Sequence, residues 1–196
     1  FEAGDRFGGH TATVDIDYDG SRIAVDTGFI VYNELNYPNL TALFQHLDVK
    51  THASEMSFAL SLDDGRLEWS GRNFAALFAQ RRNLVSPSFY KMIADVLRFN
   101  RLCVADKAAG KLAGISIGDY LEWRGFSAAF RDDYLMPMGA AIWSCPPRAF
   151  RAFPVRFVME FLANHGLLQV HGRPVWRVVR DGSARKFASE SDCGRS

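Results

Sequence analysis

Residues 1–11, Phe-Glu-Ala-Gly-Asp-Arg-Phe-Gly-Gly-His-Thr, carry the pattern around which the rest of the chain is interpreted. Glu2 supplies a carboxylate that can accept hydrogen bonds from ribose hydroxyls, and Arg6 supplies a planar guanidinium that can hold phosphate oxygens. Gly8 and Gly9 have no side chains, so their backbone N–H groups can approach a diphosphate closely. The pattern indicates a dinucleotide site, and the alternative is a plain tight turn between two strands.

The next residues predict a β-hairpin that leads into a second turn. Residues 13–19 alternate between apolar and acidic side chains, which is typical of a half-buried strand with Val14, Ile16 and Tyr18 on its inner face. The dipeptide Asp19-Gly20 favours a hairpin turn, and residues 22–26 then form the partner strand. This strand ends in Asp26-Thr27-Gly28, which taken alone is a plain turn with an Asp cap.

Three stretches of the chain together resemble a known family. The spacing of Glu2, Arg6 and the two glycines resembles the second half of the extended FAD-binding signature, Glu-x-x-x-Arg-x-Gly-Gly, of the glutathione-reductase-like flavoproteins. Residues 25–33, Val-Asp-Thr-Gly-Phe-Ile-Val-Tyr-Asn, and residues 136–143, Met-Pro-Met-Gly-Ala-Ala-Ile-Trp, extend the match. The chain thus resembles, up to about residue 185, the branch of flavin amine oxidases and phytoene desaturases, and within it a bacterial NAD/FAD-binding group.

The resemblance implies a role for each part of these motifs. The acid would hold the adenosine ribose, the Arg and the double glycine would hold the diphosphate, and the Asp-x-Gly turn would approach the isoalloxazine. His10 follows the glycines where related flavoproteins often have Arg or Thr, and both an FAD contact and a surface role stay open for it. The implied FAD-binding residues are Glu2, Arg6, Gly8, Gly9, His10, Thr11, Asp26, Gly28 and Phe29.

The expected fold is an α/β mix in two parts. A partial FAD/NAD(P)-binding, Rossmann-like domain is expected over residues 1–55, and a substrate-binding domain with antiparallel strands and several helices over residues 56–185. Residues 186–196 lose the amphipathic period, so a frayed tail is expected there. In the family a strand, a Gly-x-Gly-x-x-Gly turn and a helix precede the acid. The chain is therefore expected to be a fragment whose parent carries that unit, and whether it binds FAD alone stays open.

Local signals place several elements in the second part. Residues 56–62 and 66–70 alternate on either side of Asp64-Gly65, which predicts a second hairpin. Ser86-Pro87 combines an N-cap residue with Pro at the first helical position, which predicts a helix running to about residue 107. Further helices are expected over residues 116–124, 127–134 and 154–165, and a strand over residues 167–170.

Composition narrows the functional classes. With 48% hydrophobic and 13% aromatic residues the chain can bury a core, and its net charge of +1 offers no bulk attraction to nucleic acid. The three cysteines are far apart and the five histidines lack metal-binding spacing, so neither a disulfide framework nor a metal site is expected. No apolar run reaches the roughly 18 residues of a membrane span. We expect a cytoplasmic protein without a transmembrane segment; its oligomeric state is left open.

The candidate chemistry belongs to the cofactor, so the catalytic residues are left unknown. A flavin performs the redox step itself, while the protein supplies position, electrostatics and exclusion of water. Cys145 shows neither a base nor another activating group nearby in sequence, which favours a structural thiol. Met136, Met138 and Trp143 either line an apolar substrate channel, as the resemblance implies, or belong to an ordinary core.

Two functions from different classes follow. The first is an FAD-dependent, amine-oxidase-like oxidoreductase that removes hydride from a C–N or C–C bond. The abundance of apolar residues suggests a small-molecule substrate that is apolar, such as a lipid or polyene. The second is a dinucleotide-binding module, or an inactive fragment, without redox turnover.

Overall fold

The computed structural model describes residues 8–168 and 174–184, and the statements below concern these residues. They divide into two compact units, one formed by residues 8–56 with 174–184 and the other by residues 57–168. Both contain helices and antiparallel strands, which confirms the expected α/β mix. Glu2, Arg6, and the expected tail over residues 186–196 lie outside the described residues.

The first unit begins with the predicted hairpin. Strands β1 (Thr13–Tyr18) and β2 (Ser21–Asp26) pair antiparallel, and they are joined by a two-residue turn in which Asp19 and Gly20 have φ of 51° and 76°. Positive φ at both central positions is the geometry that Asp-Gly supplies in such turns. The Asp17 carboxylate accepts a hydrogen bond from the Gly20 N–H at 2.9 Å, which further stabilises the turn.

The orientation of this hairpin differs from the prediction. Its apolar face is exposed, with 51%, 42% and 64% of Val14, Ile16 and Tyr18 accessible. The polar face is the more buried one, because Thr13 and Asp26 hydrogen-bond there with residues 183 and 184. Alternation therefore predicted the strand correctly but assigned the wrong face to the interior.

The remainder of the first unit is a three-stranded antiparallel sheet and one helix. Strand β7 (Trp176–Val179) lies between β3 (Tyr32–Asn33) and β4 (Thr51–Ser54), and helix α1 spans Pro38–His46. The sheet and helix bury Tyr32, Phe44 and Val179, and the rings of Tyr32 and Phe44 pack edge-to-face with centroids 5.2 Å apart. Strand β7 thus pairs within the first unit, although it lies inside the 56–185 range expected for the substrate domain.

The second unit contains the second predicted hairpin and most of the helices. Strand β5 (Ala59–Leu62) pairs with β6 (Leu67–Ser70), and the Ser86 side chain accepts from the Phe89 N–H as the predicted N-cap of the longest helix. The helices are α2 (Phe74–Leu77), α3 (Pro87–Ala108), α4 (Ile117–Trp123), α5 (Ala128–Phe130), α6 (Met136–Ile142), α7 (Pro147–Phe150) and α8 (Val155–Asn164). No helix among the described residues is both long enough and apolar enough to cross a membrane.

A buried ionic cluster joins α3 to α4. Asp106 is 2% exposed, and its carboxylate accepts from the Tyr120 hydroxyl at 2.7 Å and from the Arg124 Nε at 2.9 Å. Burial, together with the hydrogen bond to Asp106, raises the pKa of Tyr120 well above its usual value. The buried Asp106 carboxylate is thus paired with the Tyr120 hydroxyl and the Arg124 guanidinium, as a buried charge requires.

The helix predicted over residues 127–134 is interrupted. After α5 the backbone forms a π-helical turn over Arg131–Leu135 before it enters α6. Pro137 has no N–H, so it leaves the Asp133 carbonyl four residues earlier without its α-helical donor. The Trp69 indole N–H donates to that carbonyl at 3.2 Å, which links this irregular helix to β6.

The motif over residues 136–143 lies in the core of the second unit. Met136 and Met138 are 4% and 6% exposed, and the ring of Trp143 stacks on Phe150 with centroids 5.3 Å apart. A Cβ on Gly139 would lie 2.2 Å from a ring carbon of Phe150, so only glycine allows this packing. Of the two roles considered for this motif, core packing is the one its burial supports.

A short strand is expected over residues 167–170, but residues 167 and 168, the two that the structure describes, do not form one. Leu167 and Leu168 form a turn after α8, and the Leu167 N–H donates to the Leu162 carbonyl at 2.9 Å. The apolar pair packs against the core from this turn, while the other two residues lie outside the described part.

Candidate cofactor site

The double glycine forms an exposed turn. The Thr11 N–H donates to the Gly8 carbonyl at 2.9 Å, and the Thr11 hydroxyl donates to the same oxygen at 2.7 Å. Gly8 and Gly9 have φ of 101° and 52°, in the left-handed region that favours glycine. A Cβ on Gly8 would also lie 2.2 Å from the Thr11 hydroxyl oxygen. The turn therefore requires glycine at its first position and places an exposed backbone at the start of the hairpin.

A second turn packs directly against the first. The Phe29 N–H donates to the His10 carbonyl at 2.8 Å, and the Thr27 N–H donates to the Ala12 carbonyl at 2.8 Å. Gly28 lies between these two bonds, and a Cβ there would be only 2.0 Å from the His10 carbonyl oxygen. The structure thus brings together the two motifs that the sequence separates by some fifteen residues, and it explains the glycine by close backbone approach.

Asp26 is committed to other parts of the first unit. Its Oδ1 accepts from the Thr13 hydroxyl at 2.6 Å, from the Ser183 N–H at 2.8 Å and from the Ser183 hydroxyl at 3.0 Å. The Thr13 hydroxyl oxygen in turn accepts from the Ala184 N–H at 2.9 Å. The carboxylate therefore acts as a cap, as the plain-turn interpretation of Asp26-Thr27-Gly28 expects. The group that it caps is the Ser183 N–H, which is distant in sequence.

Phe29 contributes through its backbone and packs its ring inward. The ring is half-buried and lies 6.4 Å, centroid to centroid, from both Tyr32 and Phe44. This packing anchors the second turn to the aromatic cluster of the first unit. Asn33 follows in β3 and is fully buried. Its Oδ1 accepts from the Asn36 N–H at 2.8 Å, while its Nδ2 has no hydrogen-bond partner among residues 8–168 and 174–184.

Sequence reasoning missed the third segment of this site. Ser183 is fully buried and Gly182 packs so closely on β1 that a Cβ would lie 2.4 Å from the Thr13 methyl carbon. The only signal in the sequence was the turn-like Asp181-Gly182-Ser183 after an apolar strand. Nothing in that pattern identifies Thr13 and Asp26 as its partners.

A groove of about 530 Å³ lies in the first unit beside Asp26. One wall is β2, and the side chains of Ile23 and Val25 on this strand are exposed. Val178 and the Gly182 turn form another part of the wall, and His52 and Asp181 add polar groups. The groove gives the first unit a concave surface that is apolar with a few polar groups at its edge, as small-molecule sites commonly are.

The two cysteines in the described part of the chain, Cys103 and Cys145, supply no second site. Cys103 is 2% exposed in the core of the second unit, and burial raises the pKa of its thiol far above the usual value. Cys145 is half-buried and packs against the same core. A nucleophilic cysteine needs an accessible thiolate, so the Cys103 environment favours a structural role.

These features fit a dinucleotide cofactor. The double-glycine turn is exposed, so a diphosphate can approach its backbone closely. The exposed turn and the mixed α/β fold are compatible with the dinucleotide-binding class that the sequence predicts.

The comparison with protein families agrees with this class and narrows it. Residues 1–172 match the family described as flavin containing amine oxidoreductase, and the chain belongs to this family. The family is flavin-containing, so the cofactor is FAD. No curated protein matches the chain.

Replacement of Gly28 by Ala tests the contact between the two turns. The added Cβ collides with the His10 carbonyl oxygen, and the turns must separate, with loss of the hydrogen bond from Phe29. We expect the free energy of unfolding to fall by about 3 kcal/mol, as overpacking of a rigid contact does. Chemical denaturation of the purified chain measures this.

Gly20→Asn is the matched control, because Gly20 has open space around it and Asn tolerates its positive φ. This variant should stay within about 1 kcal/mol of the unchanged chain. Equal stability of the Gly28→Ala variant and the unchanged chain would show that the two turns are not packed as described.

Proposed function

We propose that the protein is an FAD-dependent oxidoreductase that removes hydride from a C–N or C–C bond of an apolar organic substrate. The observation that carries this proposal is the hydrogen bond between the Phe29 N–H and the His10 carbonyl at 2.8 Å. This bond joins the Gly8–Thr11 turn to the Gly28 turn. The family resemblance implies that both turns contact the same cofactor. Membership of a flavin-containing family supports the assignment.

In this proposal the first unit binds and orients the cofactor. Glu2 accepts hydrogen bonds from the adenosine ribose, and Arg6 with the Gly8 and Gly9 backbone binds the diphosphate, as in the family signature. His10 and Thr11 extend the same turn. When bound, FAD supplies the hydride acceptor.

The Gly28 turn is proposed to face the flavin ring with its backbone. A Phe29 ring held in the aromatic cluster leaves the backbone of Gly28 as the nearer part of this turn. Because the turn is fixed by two backbone hydrogen bonds and by ring packing, it would reorganise little when the cofactor binds. Such preorganisation favours a defined position for the reacting ring.

The second unit is proposed to bind the substrate. It has a cavity of about 340 Å³ with the buried Leu67, Phe89 and Met92 as its apolar floor. The lining also includes polar and charged residues, among them Arg66, Arg82, Asn83 and Asp133. The Arg82 guanidinium at this cavity donates to the carbonyls of Gly65 and Arg66, so its donors are engaged by the protein itself. An apolar floor with engaged cations favours an uncharged, apolar substrate over a small carboxylate.

Replacement of Glu2 by Ala tests the cofactor assignment. Loss of a charged acceptor for the ribose hydroxyls should weaken FAD binding by about tenfold or more. Quenching of flavin fluorescence during titration with the purified chain gives the dissociation constant.

Asp5→Ala is the matched control, since it removes a neighbouring carboxylate that the family signature does not use, and it should bind FAD as the unchanged chain does. If neither this chain nor a longer one that carries the upstream Gly-x-Gly-x-x-Gly unit took up FAD, the cofactor assignment would be wrong, and a role without redox turnover would replace it.

Anaerobic reduction of the bound flavin tests the substrate class. We expect long-chain or polyene substrates to bleach the visible flavin absorbance, because the cavity of the second unit has an apolar floor. Simple primary amines should reduce it at least about tenfold more slowly, since a methylene group buried in an apolar site contributes about 0.8 kcal/mol. Fast bleaching by simple amines, with no bleaching by lipids, would contradict the apolar substrate and leave the cofactor assignment intact.

A further inference from the structure

The carboxylate of Asp26 is the centre of a small, partly buried network in the first unit. A single oxygen, Oδ1, accepts from the Thr13 hydroxyl and from both the backbone and side chain of Ser183, at 2.6 to 3.0 Å. Ser183 is fully buried, while Asp26 and Thr13 are half-buried, so these bonds are partly shielded from solvent. Hydrogen bonds to a charged acceptor are about twice as strong as neutral ones, which makes this an effective anchor.

The network also occupies the backbone donors of the segment 183–184. The Ser183 N–H is taken by Asp26 and the Ala184 N–H by the Thr13 hydroxyl, at 2.8 and 2.9 Å. Consecutive backbone N–H groups of this kind are otherwise suited to a phosphate. Here the Asp26 carboxylate and the Thr13 hydroxyl occupy these two donors, so the proposed place for the diphosphate is the Gly8–Thr11 turn.

Asp26 directly precedes the turn that contacts the double-glycine segment. The next residue donates from its N–H to the Ala12 carbonyl, and Phe29 donates to the His10 carbonyl. Fixing the end of β2 through Ser183 therefore fixes the start of this turn. A direct contact of Asp26 with the diphosphate would bring like charges together, which is unfavourable.

We infer that Asp26 is a positioning residue of the cofactor site, which holds the Gly182–Ala184 segment against the hairpin and acts on FAD only through the turn that follows it. The inference about FAD rests on the proposed function. The inference about the Gly182–Ala184 segment does not, since it concerns contacts within the chain.

Amide hydrogen exchange tests the anchoring without any cofactor. In the Asp26→Ala variant the Ser183 amide loses its acceptor, and its exchange should accelerate by about tenfold or more. In Asp26→Asn the side-chain oxygen can still accept, so exchange should stay within about threefold of the unchanged chain. The Gly20 amide, which donates to Asp17 at the far end of the hairpin, is the internal control and should not change in either variant.

FAD titration of the same variants tests the positioning role. Asp26→Ala should weaken FAD binding by about tenfold, and Asp26→Asn should restore it, because the anchor needs an acceptor and not a charge. Asp17→Ala, which removes another carboxylate of the hairpin, should bind FAD as the unchanged chain does.

Two results would overturn the inference. One is native exchange of the Ser183 amide in Asp26→Ala, which would mean that the carboxylate does not hold the segment. The other is an Asp26→Asn variant with native exchange but FAD binding as weak as in Asp26→Ala, which would mean that the charge acts on the cofactor directly. If neither the chain nor a longer one that carries the upstream Gly-x-Gly-x-x-Gly unit bound FAD, the proposed function would be wrong, and the exchange result would then decide the anchoring alone.

Discussion

The first unit depends on the close approach of two backbone segments at Gly28. The His10 carbonyl oxygen lies where a side chain at position 28 would begin, and it accepts the Phe29 N–H at 2.8 Å. This contact requires glycine for reasons of space and not of φ. It converts two turns, which separately would be ordinary loop features, into one rigid edge with the double glycine exposed on it. The FAD assignment rests on membership of the flavin-containing family, and we propose this edge as the place where the cofactor binds.

A separate set of polar contacts explains the unusual orientation of the hairpin. Thr13 and Asp26 face the interior because their side chains hydrogen-bond with residues 183 and 184, and this turns Val14, Ile16 and Tyr18 toward solvent. Buried polar groups need partners, and here the partners are supplied by a segment more than 150 residues away in sequence. Polar bonding thus overrides the hydrophobic pattern in fixing which face is buried.

Much of the local structure could be predicted from the sequence, because it is set by residues that act locally. Asp19-Gly20 defines the first hairpin turn, and Ser86-Pro87 defines the start of the longest helix. The pairing of β7 with β3 and β4, and the contact of Ser183 with Asp26, could not be predicted, because both depend on tertiary contacts between distant segments. The π-helical turn before Pro137 was missed for a related reason, since the Trp69 indole that satisfies Asp133 lies on a separate hairpin.

The central claim is that the Gly8–Thr11 turn, held by its contact with the Gly28 turn, binds the diphosphate of FAD. Backbone amide chemical shifts, recorded while FAD is titrated into the isotope-labelled chain, test this most directly. The account predicts saturable shifts of the Gly8 and Gly9 amides, with the Gly20 amide at the other end of the hairpin unchanged. Saturable shifts confined to other residues, with Gly8 and Gly9 unaffected, would contradict it.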